Sequence, residues 1–68
     1  MTGGSINLGN NVIANITLGS QPGTFNVTIG SQTIPNVVHG QIINTPQGAF
    51  MVNIVNGQIS FTPVFELL

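Results

Sequence analysis

Residues 49–65 write the same pattern twice, apolar side chains alternating with polar ones on either side of Asn56-Gly57. A period of two is the signature of a strand with one face turned inward. Asn-Gly between two such runs predicts a two-residue type I′ hairpin, because both central positions need positive φ and these two residues tolerate it best. With Val55 and Gln58 flanking the turn, Ile54 falls opposite Ile59, Val52 opposite Phe61 and Phe50 opposite Pro63. All six then share one face, which is expected to be buried, while Met51, Asn53, Val55, Gln58, Ser60 and Thr62 take the other.

The remaining chain is read as more of the same. Val12 to Leu18 alternates as a half-buried strand, residues 19–23 (Gly-Ser-Gln-Pro-Gly) form a loop, and residues 24–29 alternate again through Phe25, Val27 and Ile29. Gly30-Ser31 suits a type II′ turn, with Gly supplying the positive φ of the first central position. Residues 32–38 carry Pro35, which cannot donate to a ladder and so belongs on an edge or at a bulge. Residues 37–43 make another strand, and residues 44–48 (Asn-Thr-Pro-Gln-Gly) a second five-residue loop. The expectation is an all-β fold, a small antiparallel β-sandwich or open barrel of six or seven short strands. Residues 1–11 are set apart as a Gly-rich arm, residues 12–65 as the β domain and residues 66–68 as an apolar tail.

Two halves of this pattern match at an offset of 25. Asn11, Val12, Gly23, Phe25, Val27 and Ile29 recur as Asn36, Val37, Gly48, Phe50, Val52 and Ile54, with Ile13/Val38, Leu18/Ile43 and Ser20/Thr45 as conservative pairs. An internal duplication of strand, loop, strand, turn, strand is therefore expected.

Charge is where the composition departs furthest from ordinary soluble domains, which are about one quarter charged. The 68 residues contain no Lys, no Arg and no Asp, one Glu (Glu66) and one His (His39). Nucleic acid is excluded as a partner, since phosphate neutralisation needs Lys or Arg. No apolar run approaches the ~18 residues of a membrane-spanning helix. Copies of the chain have almost no mutual repulsion, and strand edges lack the Lys and inward charges that normally prevent edge-to-edge pairing. With no cysteine, a domain this small has neither disulfide nor metal to reinforce it, and association with other chains is the remaining stabiliser.

Catalytic constellations are not expected. His39 has no Asp or Cys to orient it and reads as a surface or interface hydrogen-bonding residue. Glu66 has no second carboxylate for paired acid/base work. Ser5, Ser20, Ser31 and Ser60 have no base at useful spacing, and Gly3, Gly4 and Gly9 lack the Lys of a phosphate loop. Asn15-Ile16-Thr17 and Asn26-Val27-Thr28 satisfy the glycosylation sequon but fall inside strands. The many Asn and Gln residues suit side-chain ladders between stacked subunits. Without Trp or Tyr as a platform they suit sugar binding less well. No cofactor or metal is expected, and an enzyme is the class least expected.

The expected role is a structural subunit that assembles with itself by strand addition. The arm or the tail would complete an open edge of the next subunit, with Ile6 and Leu8 at one end and Phe65, Leu67 and Leu68 at the other filling apolar slots. Head-to-tail contacts of that kind do not close and produce a fibre, tube or shell. In outline the chain resembles the small β-rich subunits of bacterial endospore appendages and related surface fibres, and the resemblance implies ordered arms linking one subunit to the next. The cysteine cross-links of those subunits have no counterpart here. Without Lys or Arg there is no trypsin-type cleavage site, which suits an exposed location. Residues 1–5 offer neither the basic region nor the apolar core of a secretory signal. An extracellular, cell-surface or spore-surface site reached by lysis or after signal removal is expected. The rival expectations are a small oligomeric β-barrel binding carbohydrate or peptide, and a phage virion decoration or tail protein.

Overall fold

A computed structural model describes residues 3–9 and 11–65. Alternating β-formers punctuated by Gly, Asn and Pro give seven strands in two antiparallel meanders. The first sheet has the order β1-β2-β3-β4, built from β1 (Gly3–Gly9), β2 (Val12–Leu18), β3 (Phe25–Ile29) and β4 (Gln32–Val37). The second has the order β5-β6-β7, built from β5 (Ile42–Thr45), β6 (Gly48–Val55) and β7 (Gln58–Val64). No helix occurs among the described residues, and none is therefore long and apolar enough to cross a membrane. The all-β class and the strand number agree with the sequence reading.

One apolar layer joins the two sheets. Seven buried residues of the first sheet, Val12, Ala14, Ile16, Phe25, Val27, Ile29 and Val37, form a single cluster with Ile43, Val52 and Ile59 of the second. Burial follows the period of two: in β2 Val12, Ala14 and Ile16 are buried while Ile13, Asn15 and Thr17 are exposed. A slip of one residue in any strand would exchange those two sets.

The turns that hold the register are those expected. Val55 pairs with Gln58, Ile54 with Ile59, Val52 with Phe61 and Phe50 with Pro63. Asn56 and Gly57 have φ of 53° and 76°, the two positive values of a type I′ turn. Gly30, at φ 60°, opens the β3–β4 turn, and Ile29 pairs with Gln32 across it. The inner face of the β6–β7 hairpin is buried at Phe50, Val52 and Ile59, half-buried at Ile54 and Phe61, and open at Pro63, because β7 is an edge strand and Pro63 lies towards its end.

Three expectations are corrected. Residues 44–48 are not a five-residue loop: Thr45 pairs with Gly48, leaving only Pro46 and Gln47 as the turn, with the Thr45 hydroxyl donating to the Gly48 carbonyl at 2.8 Å and accepting the Gln47 N–H at 3.1 Å. Residues 37–43 are not one strand, because β4 ends at Val37 and Gly40, at φ 86°, turns the chain into the second sheet. Residues 3–9 are not an arm. They form β1, in register with β2 of the same chain from Gly3↔Thr17 to Gly9↔Val12, and a bulge near Leu8 lets the Asn7 amide oxygen accept the Gly9 N–H at 2.8 Å.

The 25-residue match has a structural counterpart. Strands β2-β3-β4 and β5-β6-β7 are each a three-stranded meander, and β1 is the one strand added outside the pair. Matched positions share backbone and burial: Asn11 and Asn36 have φ of 64° and 53°, Phe25 and Phe50 are 4% and 7% exposed, and Val27 and Val52 are both 0%. The halves diverge where the first keeps its long loop, so that Leu18 is 55% exposed and its counterpart Ile43 only 2%.

That long loop, residues 19–24, is held by Asn36. Pro35 and Asn36 form a bulge on edge strand β4, where Phe25 pairs with Val37 and Val27 with Ile34. The Asn36 amide oxygen accepts the Ser20 N–H at 2.9 Å and the Ser20 hydroxyl at 3.2 Å, and its own N–H donates to the Asn26 side-chain oxygen at 3.1 Å. Thr24 is the buried polar residue of the loop, its hydroxyl donating to the Gln21 carbonyl at 2.7 Å. Gly19 lies against this knot, and a Cβ there would overlap the Thr24 hydroxyl and the Asn36 amide oxygen.

Two substitutions check this account by urea denaturation. Gly57→Ala should lower stability by about 1–2 kcal/mol, the cost of a Cβ at positive φ. Asn36→Ala should cost about 2–3 kcal/mol, since it strands several partners and places Ala at positive φ. An Asn36→Ala variant as stable as the parent would show that the loop is held otherwise.

Candidate functional site

Ionisable chemistry is scarce in the described residues, and no group of three or more His, Cys, Asp and Glu side chains comes together among them. Glu66 lies outside the described residues. His39 is exposed and has a structural partner: its Nδ1 accepts the Ile54 N–H at 3.0 Å. The cause is local. Beyond β5 the ladder continues through Gly40 N–H to the Val52 carbonyl and Val52 N–H to the Gln41 carbonyl, both at 2.8 Å, before positive φ at Gly40 takes the chain away. Ile54 is the next donor along β6, and the imidazole stands where a backbone carbonyl would have been. An accepting Nδ1 places the proton of the neutral ring on Nε2.

A cleft of about 310 Å³ opens where the ends of the two sheets meet. The β5–β6 turn contributes Pro46 and Gln47, the start of β2 contributes Asn11, Val12 and Ile13, and the β3–β4 turn contributes Ile29 to Gln32. The lining is mixed, with apolar Val12, Ile13, Ile29 and Pro46 beside polar Asn11, Ser31, Gln32 and Gln47. None of these groups titrates near neutral pH, so the cleft has the means to hold an uncharged group but not to transfer a proton.

The outer face of the first sheet is an uncharged polar array. Register places Ser5, Asn15, Thr28 and Thr33 in one row across all four strands. The Thr28 and Thr33 hydroxyls are 3.2 Å apart. The two sequons differ in access. Asn15 is exposed, whereas Asn26 is half-buried with its amide nitrogen donating to the Leu18 carbonyl at 3.1 Å and its oxygen taken by Asn36.

The residues expected at a subunit contact are dispersed. Ile6 and Leu8 are half-buried and pack against the chain's own apolar cluster from the outermost strand of the first sheet. Phe65, just past β7 at an edge of the second sheet, is 83% exposed. Leu67 and Leu68 lie outside the described residues. The sequence reading missed Asn36, whose signal was present: an Asn directly after Pro in a strand pattern, the residue best able to take positive φ at a bulge.

No protein-family model matches the chain, and neither curated proteins nor solved structures give a match.

His39→Ala should cost at most about 1 kcal/mol in urea denaturation, because water can take the exposed Ile54 N–H. It should leave the circular dichroism spectrum of the sheets unchanged. A loss of several kcal/mol would give the imidazole a larger role than this one acceptor.

Proposed function

We propose that the chain is a structural subunit that assembles with itself into a fibre, tube or shell at an extracellular, spore or virion surface, by strand addition between copies. The observation that carries this reading is the character of the sheet edges. None of the four edge strands β1, β4, β5 and β7 contains a charged residue. An uncharged edge is a template for another strand, and natural monomers ordinarily block it with Lys or an inward charge. Strand addition draws its affinity from main-chain hydrogen bonds. Exposed Val64 and Phe65 beside β7 and half-buried Ile6 and Leu8 on β1 supply apolar contact next to two of those edges. Gly3–Gly9 contributes as an edge of its own sheet rather than as a donated arm.

The spore-appendage likeness belongs to this reading as one possible setting, and a virion decoration or tail protein as another; assembly only in the presence of a capsid marks the second. The cleft with its mixed apolar and uncharged polar lining favours a different use, a carbohydrate- or peptide-binding module in a discrete oligomer. Saturable binding of an uncharged glycan, lost on Gln47→Ala, would identify it.

Light scattering should show a mass that rises with concentration, and negative-stain microscopy should show regular assemblies. A lysine on each of the two prolonged edges, Ser5→Lys with Thr62→Lys, should reduce assembly by about tenfold or more while the sheet spectrum is retained. A parent protein that stays monomeric, with a melting temperature independent of concentration, would exclude the proposal.

A further inference from the structure

The four edges are not equally open. β4 carries Pro35 and the Asn36 bulge, and β5 has only four residues and ends against Pro46. Both devices obstruct a further strand. β7 has Pro63 within its ladder. β1 has neither proline nor charge in its seven residues, and ahead of its bulge near Leu8 it offers residues 3–7 in unbroken register, about 17 Å of strand at ~3.3 Å per residue.

β1 also leaves part of the apolar layer uncovered. Ala14 and Ile16, one strand further in, are 0% and 1% exposed, whereas Ile6 and Leu8 are only half-buried because no strand lies beyond them. An occupant of this edge must bring apolar side chains at every second position on the core side and uncharged polar ones between them. A charged strand would place an ion against a surface that offers no countercharge. A second copy of β1 meets each requirement.

Resting on the self-assembly reading, we infer that two copies join by antiparallel pairing of β1 with β1 across a two-fold axis at Ile6, extending the four-stranded sheet to eight strands. Face parity selects the register. Gly4 and Ile6 pair with Ile16 and Ala14 of the buried face, while Ser5 pairs with exposed Asn15. Both cores lie on the same side of the joined sheet only when even positions oppose even ones. Centring the axis on Ile6 keeps residues 5–7 of both copies, ahead of the bulge near Leu8, in regular pairing and sets Ile6 against the partner's Ile6. Ser5 then meets the partner's Asn7, hydroxyl against amide on the outer side, and the partner's bulge near Leu8 falls beside Gly4, which has no side chain to crowd it. Antiparallel strands in an isologous contact need only this one edge.

The chain has no cysteine, so introduced thiols report the contact without interference. Ile6→Cys, folded by circular dichroism and mildly oxidised, should form a covalent dimer on a non-reducing gel, since directly opposed residues meet disulfide geometry. Ser5→Cys with Asn7→Cys, which retains Ile6, should cross-link as well. Ser5→Cys alone should react about tenfold more slowly, its nearest copy being diagonal rather than opposite. Equal cross-linking of Ser5→Cys and Ile6→Cys would overturn the register. If the parent oligomerises by light scattering while neither Ile6→Cys nor the double variant cross-links, β1 is not the contact and the self-assembly reading survives. A parent monomeric at every concentration overturns both.

Discussion

Everything in this fold depends on one apolar layer shared by two sheets, and that layer exists only while each strand keeps its register to the residue. Buried residues alternate with exposed ones along the first five positions of β2 and with half-buried ones along β3, so the two sets differ by a single step. Register is therefore held at the turns, where Asn56, Gly57 and Gly30 take backbone conformations that other residues resist. The layer is thin: its largest fully buried side chains are Ile16, Ile43, Val27, Val37 and Val52, and Phe25 is buried with 4% of its surface exposed. Small aliphatic residues on both sides let two short sheets share one interior.

Several polar side chains of the described residues bond to the backbone. Asn36 ties the 19–24 loop to the bulge of β4, His39 replaces a missing carbonyl beside β6, and Thr45 closes the β5–β6 turn. No buried side-chain polar atom among the described residues lacks a partner. What remains unfilled lies at the rims: the backbone of the edge strands and the apolar side chains beside them.

The edges give the molecule its directionality. The chain guards β4 and β5 by proline, bulge and shortness, the devices still open to a sequence without Lys or Arg. The strand lying outside the duplicated meanders, β1, has neither proline nor charge, only a bulge near Leu8, and carries half-buried Ile6 and Leu8. The two edges of the first sheet therefore differ, although both share the chain's shortage of charge.

Residues alone determined the strand class, the type I′ hairpin with its full pairing from Val55↔Gln58 to Phe50↔Pro63, the type II′ turn at Gly30 and the placing of Pro35 on an edge. Each of these follows from short-range rules, the two-residue period and the φ that a given residue tolerates. Tertiary structure decided the rest. Residues 44–48 resemble 19–23 in composition, yet one is a tight turn and the other a loop, because only the first loop has Asn36 beside it to bond. Glycines at residues 3, 4 and 9 suggested an arm whose Ile6 and Leu8 dock on a neighbouring subunit, whereas residues 3–9 pair with β2 of the same chain, a partner that local propensity cannot reveal. Which edges stay open is likewise a property of strand order. Composition sets how little charge is available to guard them, and only the assembled sheets decide that Ile6 and Leu8 stand at a rim.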